Sequence, residues 1–248
     1  MKKHNISSLE ELSEKSKNNV KWFWESVEKD IGIVWDTSYT KTLDTSNGIP
    51  WSKWFVEGKT NLYKSSVEKF TKQTPEKIAY NFISEDGIET KLSYFELNTK
   101  VSKLANGFKS LGVKKGDVIA IYLPMIEEAI VSILAAAKIG AVQTIVFSGY
   151  SSESLKTRLQ DCHAKILITS DGFHRKGKAI SQKTTVDSSV MDTDIEKIIV
   201  VSYKGIDKFE KSDKIQFYDE LVLEQSNTCD SEIMDSCLLY TSPSPRDS

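Results

Sequence analysis

The densest group of side chains able to hold an anion is the run Ser170-Asp-Gly-Phe-His-Arg-Lys-Gly-Lys178. It places His174, Arg175, Lys176 and Lys178 within five residues, beside Gly172 and Gly177. The glycines let the backbone turn sharply. Arginine offers a planar fork to phosphate and lysine a compact point charge, so a phosphate group suits this segment. A solvated surface cluster explains it too, because the chain is rich in lysine: its 33 basic residues include three arginines, Arg158, Arg175 and Arg246. A second candidate, Ser148-Gly-Tyr-Ser-Ser152, is small and polar and runs into a helical pattern. Its backbone N–H groups could face an anion, and an ordinary loop with an N-cap serine accounts for the same residues.

Other chemistries find no support. The sequence contains no GxxxxGK[ST] loop and no GxGxxG fingerprint. Cys162 and His163 are neighbours in a helical stretch, where adjacent side chains diverge and cannot form a nucleophile–base pair. Three histidines make no His-Glu-x-x-His cluster, and Cys162, Cys229 and Cys237 are too few and too unevenly spaced for a disulfide framework or a zinc site. Asp192 and Asp194 lie in a polar stretch and read as solvated. A net charge of −2 supplies no global field for nucleic acid or an anionic membrane. The most apolar stretch, Ile126 to Ala137, is interrupted by Glu127 and Glu128 and is too short to span a bilayer. No secretory signal is visible at Met1-Lys-Lys-His4. The expectation is a cytoplasmic protein acting on small molecules, with no nucleic-acid or membrane partner and an oligomeric state that the sequence leaves open.

With 248 residues, 39% hydrophobic and 10% aromatic, the chain can build one large domain or two small ones. All five tryptophans precede residue 55. Leu9, Leu12, Val20, Phe23, Trp24, Val27 and Ile31 follow a helical rhythm, opened by a capping box of Ser8 and Glu11. Residues 32–58 lose that period and read as an aromatic strap packed on the body. A helix is expected over 61–72, ended by Thr74-Pro75. A hairpin follows, with strands at Ile78–Ile83 and Ile88–Leu92 and its turn at Asp86-Gly87. A second capping box, Ser93 with Glu96, opens a helix that stops at Gly112.

From there apolar strands alternate with helices. Strands are expected at Asp117–Leu123, Ala141–Phe147, Lys165–Thr169 and Ile198–Val201, with helices at Ile126–Ile139 and Ser151–Asp161. The polar segment Ser181–Asp194 reads as surface. Strands buried on both faces imply parallel βαβ crossovers. The expected fold is therefore α/β, with an N-terminal helix and aromatic strap packed on a doubly wound, mostly parallel βαβ sheet. Ligands in such sheets bind beyond the carboxyl ends of the strands. Pro124-Met125, Ser148–Ser151 and Ser170–Lys178 qualify.

Several runs taken together resemble the AMP-forming acetyl-CoA synthetases and their short-chain acyl relatives. Lys53-Trp-Phe-Val-Glu-Gly-Lys-Thr-Asn61 is similar to a signature of that family's N-terminal region. Val118-Ile-Ala-Ile-Tyr-Leu-Pro-Met125, Ala135 to Phe147 and Ser148-Gly-Tyr-Ser-Ser-Glu153 follow its early core in the same order. Arg158 with Asp161, Ile168-Thr-Ser-Asp-Gly172 and Arg175-Lys-Gly-Lys178 continue it. The likeness runs from about residue 20 to Ser236.

The resemblance implies an incomplete large domain of an adenylate-forming enzyme, which makes an acyl-adenylate from acid and ATP and passes the acyl group to coenzyme A. ATP and coenzyme A would be substrates, with Mg2+ required by the full-length enzyme. Gly149, Arg175, Lys176, Gly177 and Lys178 would contact coenzyme A, with Arg175 and Lys178 near its 3′-phosphorylated end. The family usually has a second arginine where Lys178 stands, so one bidentate fork is lost.

The family continues into a glycine-rich phosphate loop, whereas here Leu239-Tyr-Thr-Ser242 runs into Pro243-Ser-Pro-Arg-Asp-Ser248. Prolines donate no N–H, and a phosphate cradle needs free donors. The resemblance implies an N-terminal fragment of an acetate–CoA ligase: an acetyl-CoA synthetase N-terminal region over 1–60, the amino-terminal part of the AMP-dependent ligase domain over 61–236, and a non-native tail over 237–248. The chain alone is expected to be inactive and to hold no catalytic residue or firmly bound cofactor. A propionyl- or 3-hydroxypropionyl-CoA synthetase fragment is one alternative, and a non-catalytic module binding coenzyme A or a protein is another.

Overall fold

The computed structural model describes residues 4–84 and 87–237. Asp86, half of the expected hairpin turn, and the tail from Leu238 to Ser248 lie outside the described residues. The chain divides into two compact units, one running to Asn61 and rejoined from Ile233, the other Leu62–Glu232.

In the first unit the expected single helix is two, α1 (Leu9–Asn18) and α2 (Val20–Ile31). Asn19 separates them: its non-helical backbone (φ −141°, ψ 72°) ends α1, and its side chain accepts the Trp22 N–H at 3.0 Å to cap α2. Ser8 accepts the Glu11 N–H as expected, but the Glu11 carboxylate reaches back to the Ser7 N–H, one residue earlier than a capping box requires. The strap expected to be irregular contains strands β1 (Trp35–Thr37), β2 (Lys41–Asp44), β3 (Lys53–Val56) and β4 (Lys59–Thr60). β2 and β3 pair antiparallel, with Leu43 opposite Trp54. Rings of Trp35, Tyr39 and Phe55 gather edge-to-face or tilted, at 5.1 to 5.6 Å between centroids. Aromatic clustering on short strands takes the place of a hydrophobic period.

The second unit opens with a wide helical turn over Lys64–Glu68 that continues as α3 (Lys69–Gln73). β5 (Ile78–Ile83) and β6 (Glu89–Ser93) form the expected hairpin, with Gly87 at φ +79° beside its turn. α4 (Tyr94–Ser110) carries both halves of the Ser93–Glu96 capping box. β7 (Val118–Tyr122), α5 (Glu127–Lys138), β8 (Val142–Ile145), α6 (Ser152–Asp161) and β9 (Ile166–Ser170) follow in the expected alternation. Next comes an unexpected hairpin of β10 (Gly172–Arg175) and β11 (Lys178–Ser181). The segment read as polar surface holds α7 (Lys183–Ser189), which buries Val186 and Ser189. β12 (Lys197–Val201), β13 (Ile215–Phe217) and α8 (Tyr218–Leu223) complete the unit. β14 (Met234–Asp235) belongs to the first unit, where it pairs with β4.

Five strands form one sheet in the order β13-β12-β9-β7-β8, all neighbours parallel. Alternation along each strand divides the core. Ile119, Ile121, Ile166, Ile168, Ile199 and Val201 pack with Leu97, Val101, Leu104 and Phe108 of α4 and Val131 and Ala135 of α5. Ala120, Tyr122, Leu167, Ile198 and Val200 pack with Leu155 and Leu159 of α6 and Val186 of α7. Full burial of each such aliphatic contributes roughly 1.5–3 kcal/mol. The doubly wound arrangement is therefore present, with one correction. β8 is not buried on both faces: it ends the sheet, and Val142 and Ile145 are exposed.

Candidate functional site

β7 has β8 on one side and β9 on the other, so the strand order switches there. A crevice opens beyond the carboxyl ends at such a point. A cleft of about 560 Å³ lies in that region, lined by Pro124, Met125 and Ile126 after β7, by Phe173, His174 and Gly177 of the hairpin, and by Tyr203 and Lys204 after β12. All three segments picked from the sequence follow strand ends.

The hairpin sorts the basic cluster. Arg175 and Lys178 are direct cross-strand partners, as are His174 and Ala179. Side chains directly opposite share one face and alternate along a strand, so Arg175 and Lys178 stand together and His174 faces the other way. Lys176 (φ +52°) and Gly177 (φ +72°) form the turn between them. Lys176 and Gly177 therefore set the Arg175–Lys178 pairing through the backbone. None of His174, Arg175, Lys176 or Lys178 has a carboxylate partner among the described residues, and all are exposed. Many other lysines are paired, as in Lys165–Asp117 at 2.7 Å and Lys183–Asp187 at 2.5 Å. A basic face left without counter-charge is suited to an external anion.

Gly149 and Arg175 come together. A Cβ on Gly149 would lie 3.1 Å from an Arg175 guanidinium nitrogen and 2.6 Å from the Phe147 ring. The guanidinium carbon stands 5.8 Å from the centre of that ring, within cation–π range. Glycine thus lets the arginine lie close against the loop after β8. The loop also opens the next helix. Ser151 caps α6 by accepting the Ser154 N–H, and Glu153 places negative charge in the first helical turn. Arg158, also marked by the resemblance, donates to the Ser154 carbonyl at 2.9 Å and stacks 4.6 Å from Tyr150.

Beneath these segments lies a buried polar network that the sequence did not reveal. The Tyr122 hydroxyl, 1% exposed as a residue, is shared between the carbonyls of Ser148 (2.9 Å) and Tyr150 (3.0 Å). Burial raises its pKa, keeping it a neutral donor. The Gln182 amide donates to the Tyr122 carbonyl at 3.4 Å, and its oxygen accepts from the Ser170 hydroxyl. Asp171, also buried, accepts the N–H groups of Tyr203, Lys204 and Gly205. A polar tip on a residue inside an apolar strand was the signal for Tyr122, since a buried phenol needs a partner.

Other groups stay apart. Cys162 and His163 lie just past the end of α6 rather than on it, and His163 (φ +50°) pairs with Asp194 at 2.7 Å. Asp192 pairs with Lys156 at 3.1 Å. The three cysteines are free thiols. Among the described residues no group of three or more His, Cys, Asp or Glu could hold a metal ion. No described helix is long and apolar enough to cross a membrane.

Residues 67–244 match the family described as AMP-binding enzyme, and residues 9–65 match the acetyl-coenzyme A synthetase N-terminus. The chain is 39% identical over 98% of its length to an acetyl-coenzyme A synthetase of Methanothrix thermoacetophila, and 37% identical over 96% to one of Streptomyces avermitilis. It spans 37% of the length of each of these relatives. An acetoacetyl-CoA synthetase from Streptomyces lividans shares its fold, with a TM-score of 0.83 at 24% identity over 92% of this chain and 35% of that one.

Proposed function

The chain belongs to the AMP-binding enzyme family, and from that membership we propose that it forms the amino-terminal region of an AMP-forming acyl-coenzyme A synthetase acting on acetate. In this reading residues 1–60 are the N-terminal region and 61–236 the first part of the ligase domain. ATP and the acid give acyl-adenylate and pyrophosphate, and the coenzyme A thiol then displaces AMP to give acyl-coenzyme A. Names of relatives matched along nearly the whole chain favour acetate over propionate or 3-hydroxypropionate, and a ligase over a non-catalytic binding module.

What these residues would do is bind. Arg175 and Lys178 would meet the 3′-phosphate of coenzyme A, with Gly149 keeping the approach open and Lys176-Gly177 setting the turn. The observation that carries this is the Arg175 guanidinium, seated against Gly149 and facing no carboxylate among the described residues.

Calorimetric titration of coenzyme A into the chain tests it. Arg175→Ala should raise the dissociation constant about tenfold at low salt, from the worth of an exposed charge-assisted hydrogen bond. Lys178→Ala should do so more weakly, because lysine makes no bidentate fork. Dephospho-coenzyme A should bind the variants and the parent alike. Equal coenzyme A affinity in wild type and Arg175→Ala would return the cluster to solvated surface.

A further inference from the structure

We infer that Tyr122 is a positioning residue for the proposed coenzyme A site: its hydroxyl, with Gln182 behind it, sets the spacing between the Gly149 loop and the Arg175 hairpin. The inference rests on the coenzyme A reading above and adds the mechanism that makes the site rigid.

The site is split between two segments that are distant in sequence. Gly149 lies in the loop after β8, and Arg175 and Lys178 lie on the β10–β11 hairpin. Both are exposed, and the tip of a two-stranded hairpin has little to brace it. Both are nonetheless tied to the last residue of β7. Tyr122 is a central-strand residue, paired with Thr169 of β9 on one side, so its backbone is fixed by the sheet. Its side chain donates to the Ser148 and Tyr150 carbonyls, which flank Gly149 on either side. Its own carbonyl accepts from Gln182, the residue immediately after β11. The same Gln182 accepts from Ser170, the last residue of β9, whose hydroxyl also lies 3.0 Å from the Gly172 carbonyl at the start of β10. Both sides of the loop glycine and the β11 foot of the hairpin therefore meet at one tyrosine, and the β10 foot is linked to it through Ser170 and Gln182.

Every member is buried: Tyr122 and Gln182 are 1% exposed and Ser170 is fully covered. In a dry setting an unmade hydrogen bond is costly, so a satisfied network holds one geometry strongly. Arg175 needs that geometry. It sits 3.1 Å from the site of a missing Cβ, and a shift of the loop by an ångström would open or close the contact. Preorganisation of this kind raises affinity by removing ordering cost on binding. A phenylalanine keeps the ring and its packing against Leu155 and Val146, and deletes only the tether.

The test uses Tyr122→Phe and Gln182→Met in the full chain, with coenzyme A and dephospho-coenzyme A as titrants and backbone hydrogen exchange as an independent readout. Tyr122→Phe should weaken coenzyme A binding about three- to tenfold, the range of one lost hydrogen bond. It should weaken dephospho-coenzyme A less, so the ratio of the two affinities falls. Exchange should quicken at residues 148–151. Gln182→Met, which leaves the loop tether in place, should lower the same ratio while quickening exchange at 172–181. A residue that merely stabilises the fold would lower the melting temperature and leave the affinity ratio unchanged, and that result overturns the inference. If Tyr122→Phe fails to fold, Gln182→Met decides on the same ratio. If wild type binds no coenzyme A, the assignment of Arg175 and Lys178 to that ligand fails and this inference falls with it. If binding is present but neither variant alters the ratio or the exchange, only the positioning role is lost.

Discussion

Lys138 sets its ammonium 2.7 Å from the carboxylate of Glu68, with 2% of the lysine side chain exposed. The same ammonium lies 4.1 Å from the centre of the Tyr63 ring and 3.3 Å from the Ser231 hydroxyl, which also donates to Glu68. Taking a lysine out of water is costly, and this setting offsets the cost with a carboxylate, a hydroxyl and a π face. Lys138→Met should therefore destabilise the chain by about 3–5 kcal/mol, because it strands Glu68. Adding Glu68→Leu should recover more than half of that loss. Urea unfolding of the three proteins checks this; a double variant no more stable than the single one would mean that packing, not charge, is at stake.

The pair also carries a pH signature. Burial pushes the Glu68 carboxyl up, but the hydrogen bonds from Lys138 and Ser231 outweigh it and hold the group below its ordinary value. A carboxyl lowered by folding contributes stability above its unfolded pKa and loses it as pH falls through the folded one. The stability difference between wild type and Glu68→Gln should accordingly shrink as pH drops from 7 through the carboxylate range. A difference that stayed constant to pH 3 would contradict the assignment.

Gly149→Ala separates binding from folding. Gly149 is not among the glycines at positive φ, so alanine meets no backbone strain there. The new methyl would press on the Phe147 ring at 2.6 Å and the Arg175 guanidinium at 3.1 Å. Phe147 is 56% exposed and can swing away. The expected stability change is within about 0.5 kcal/mol, while coenzyme A binding falls because Arg175 is displaced. Thermal melts and titration of the same sample check both halves. A large drop in melting temperature would show that the loop is packed more tightly than the exposure of Phe147 implies.

How far the fold was legible depends on where its signals reside. Ser93 and Glu96 announced α4 because a capping box is local chemistry, complete within four residues. β7, β9 and β12 were legible as apolar runs, since both of their faces are covered. The β10–β11 hairpin was not. Its turn places Lys176 at φ +52°, a conformation lysine seldom adopts, so Gly177 alone carried the turn signal. Without the hairpin, the cross-strand pairing of Arg175 with Lys178 stayed hidden, although the charge cluster itself was plain. α7 was masked by its Thr, Ser and Asp content, with Val186 the one large apolar residue among seven. The break at Asn19 was missed because α1 and α2 share a single apolar rhythm across a residue that caps one helix with its side chain and ends the other with its backbone.

β8 supplies the last prediction. It ends the parallel sheet, and Val142, Ile145 and the following Phe147 are 51%, 62% and 56% exposed. An exposed apolar edge strand offers unpaired backbone groups to another chain, and charged side chains are the usual guard against it. No lysine, arginine, aspartate or glutamate occurs between Ala141 and Ser152. The chain in isolation should therefore self-associate and bind a hydrophobic dye. Ile145→Lys should reduce both, because it places a charge on the edge while removing little buried area. Its effect on the melting temperature should be small for the same reason, within about 0.5 kcal/mol in stability terms. Sedimentation at several concentrations, with dye fluorescence on the same samples, makes the comparison. A wild-type chain that stays monomeric at high concentration, or an Ile145→Lys variant that associates as strongly as wild type, would move the sticky surface away from β8. The exposed Ile83 and Ile88 beside the β5–β6 turn would then be the next place to introduce the charge.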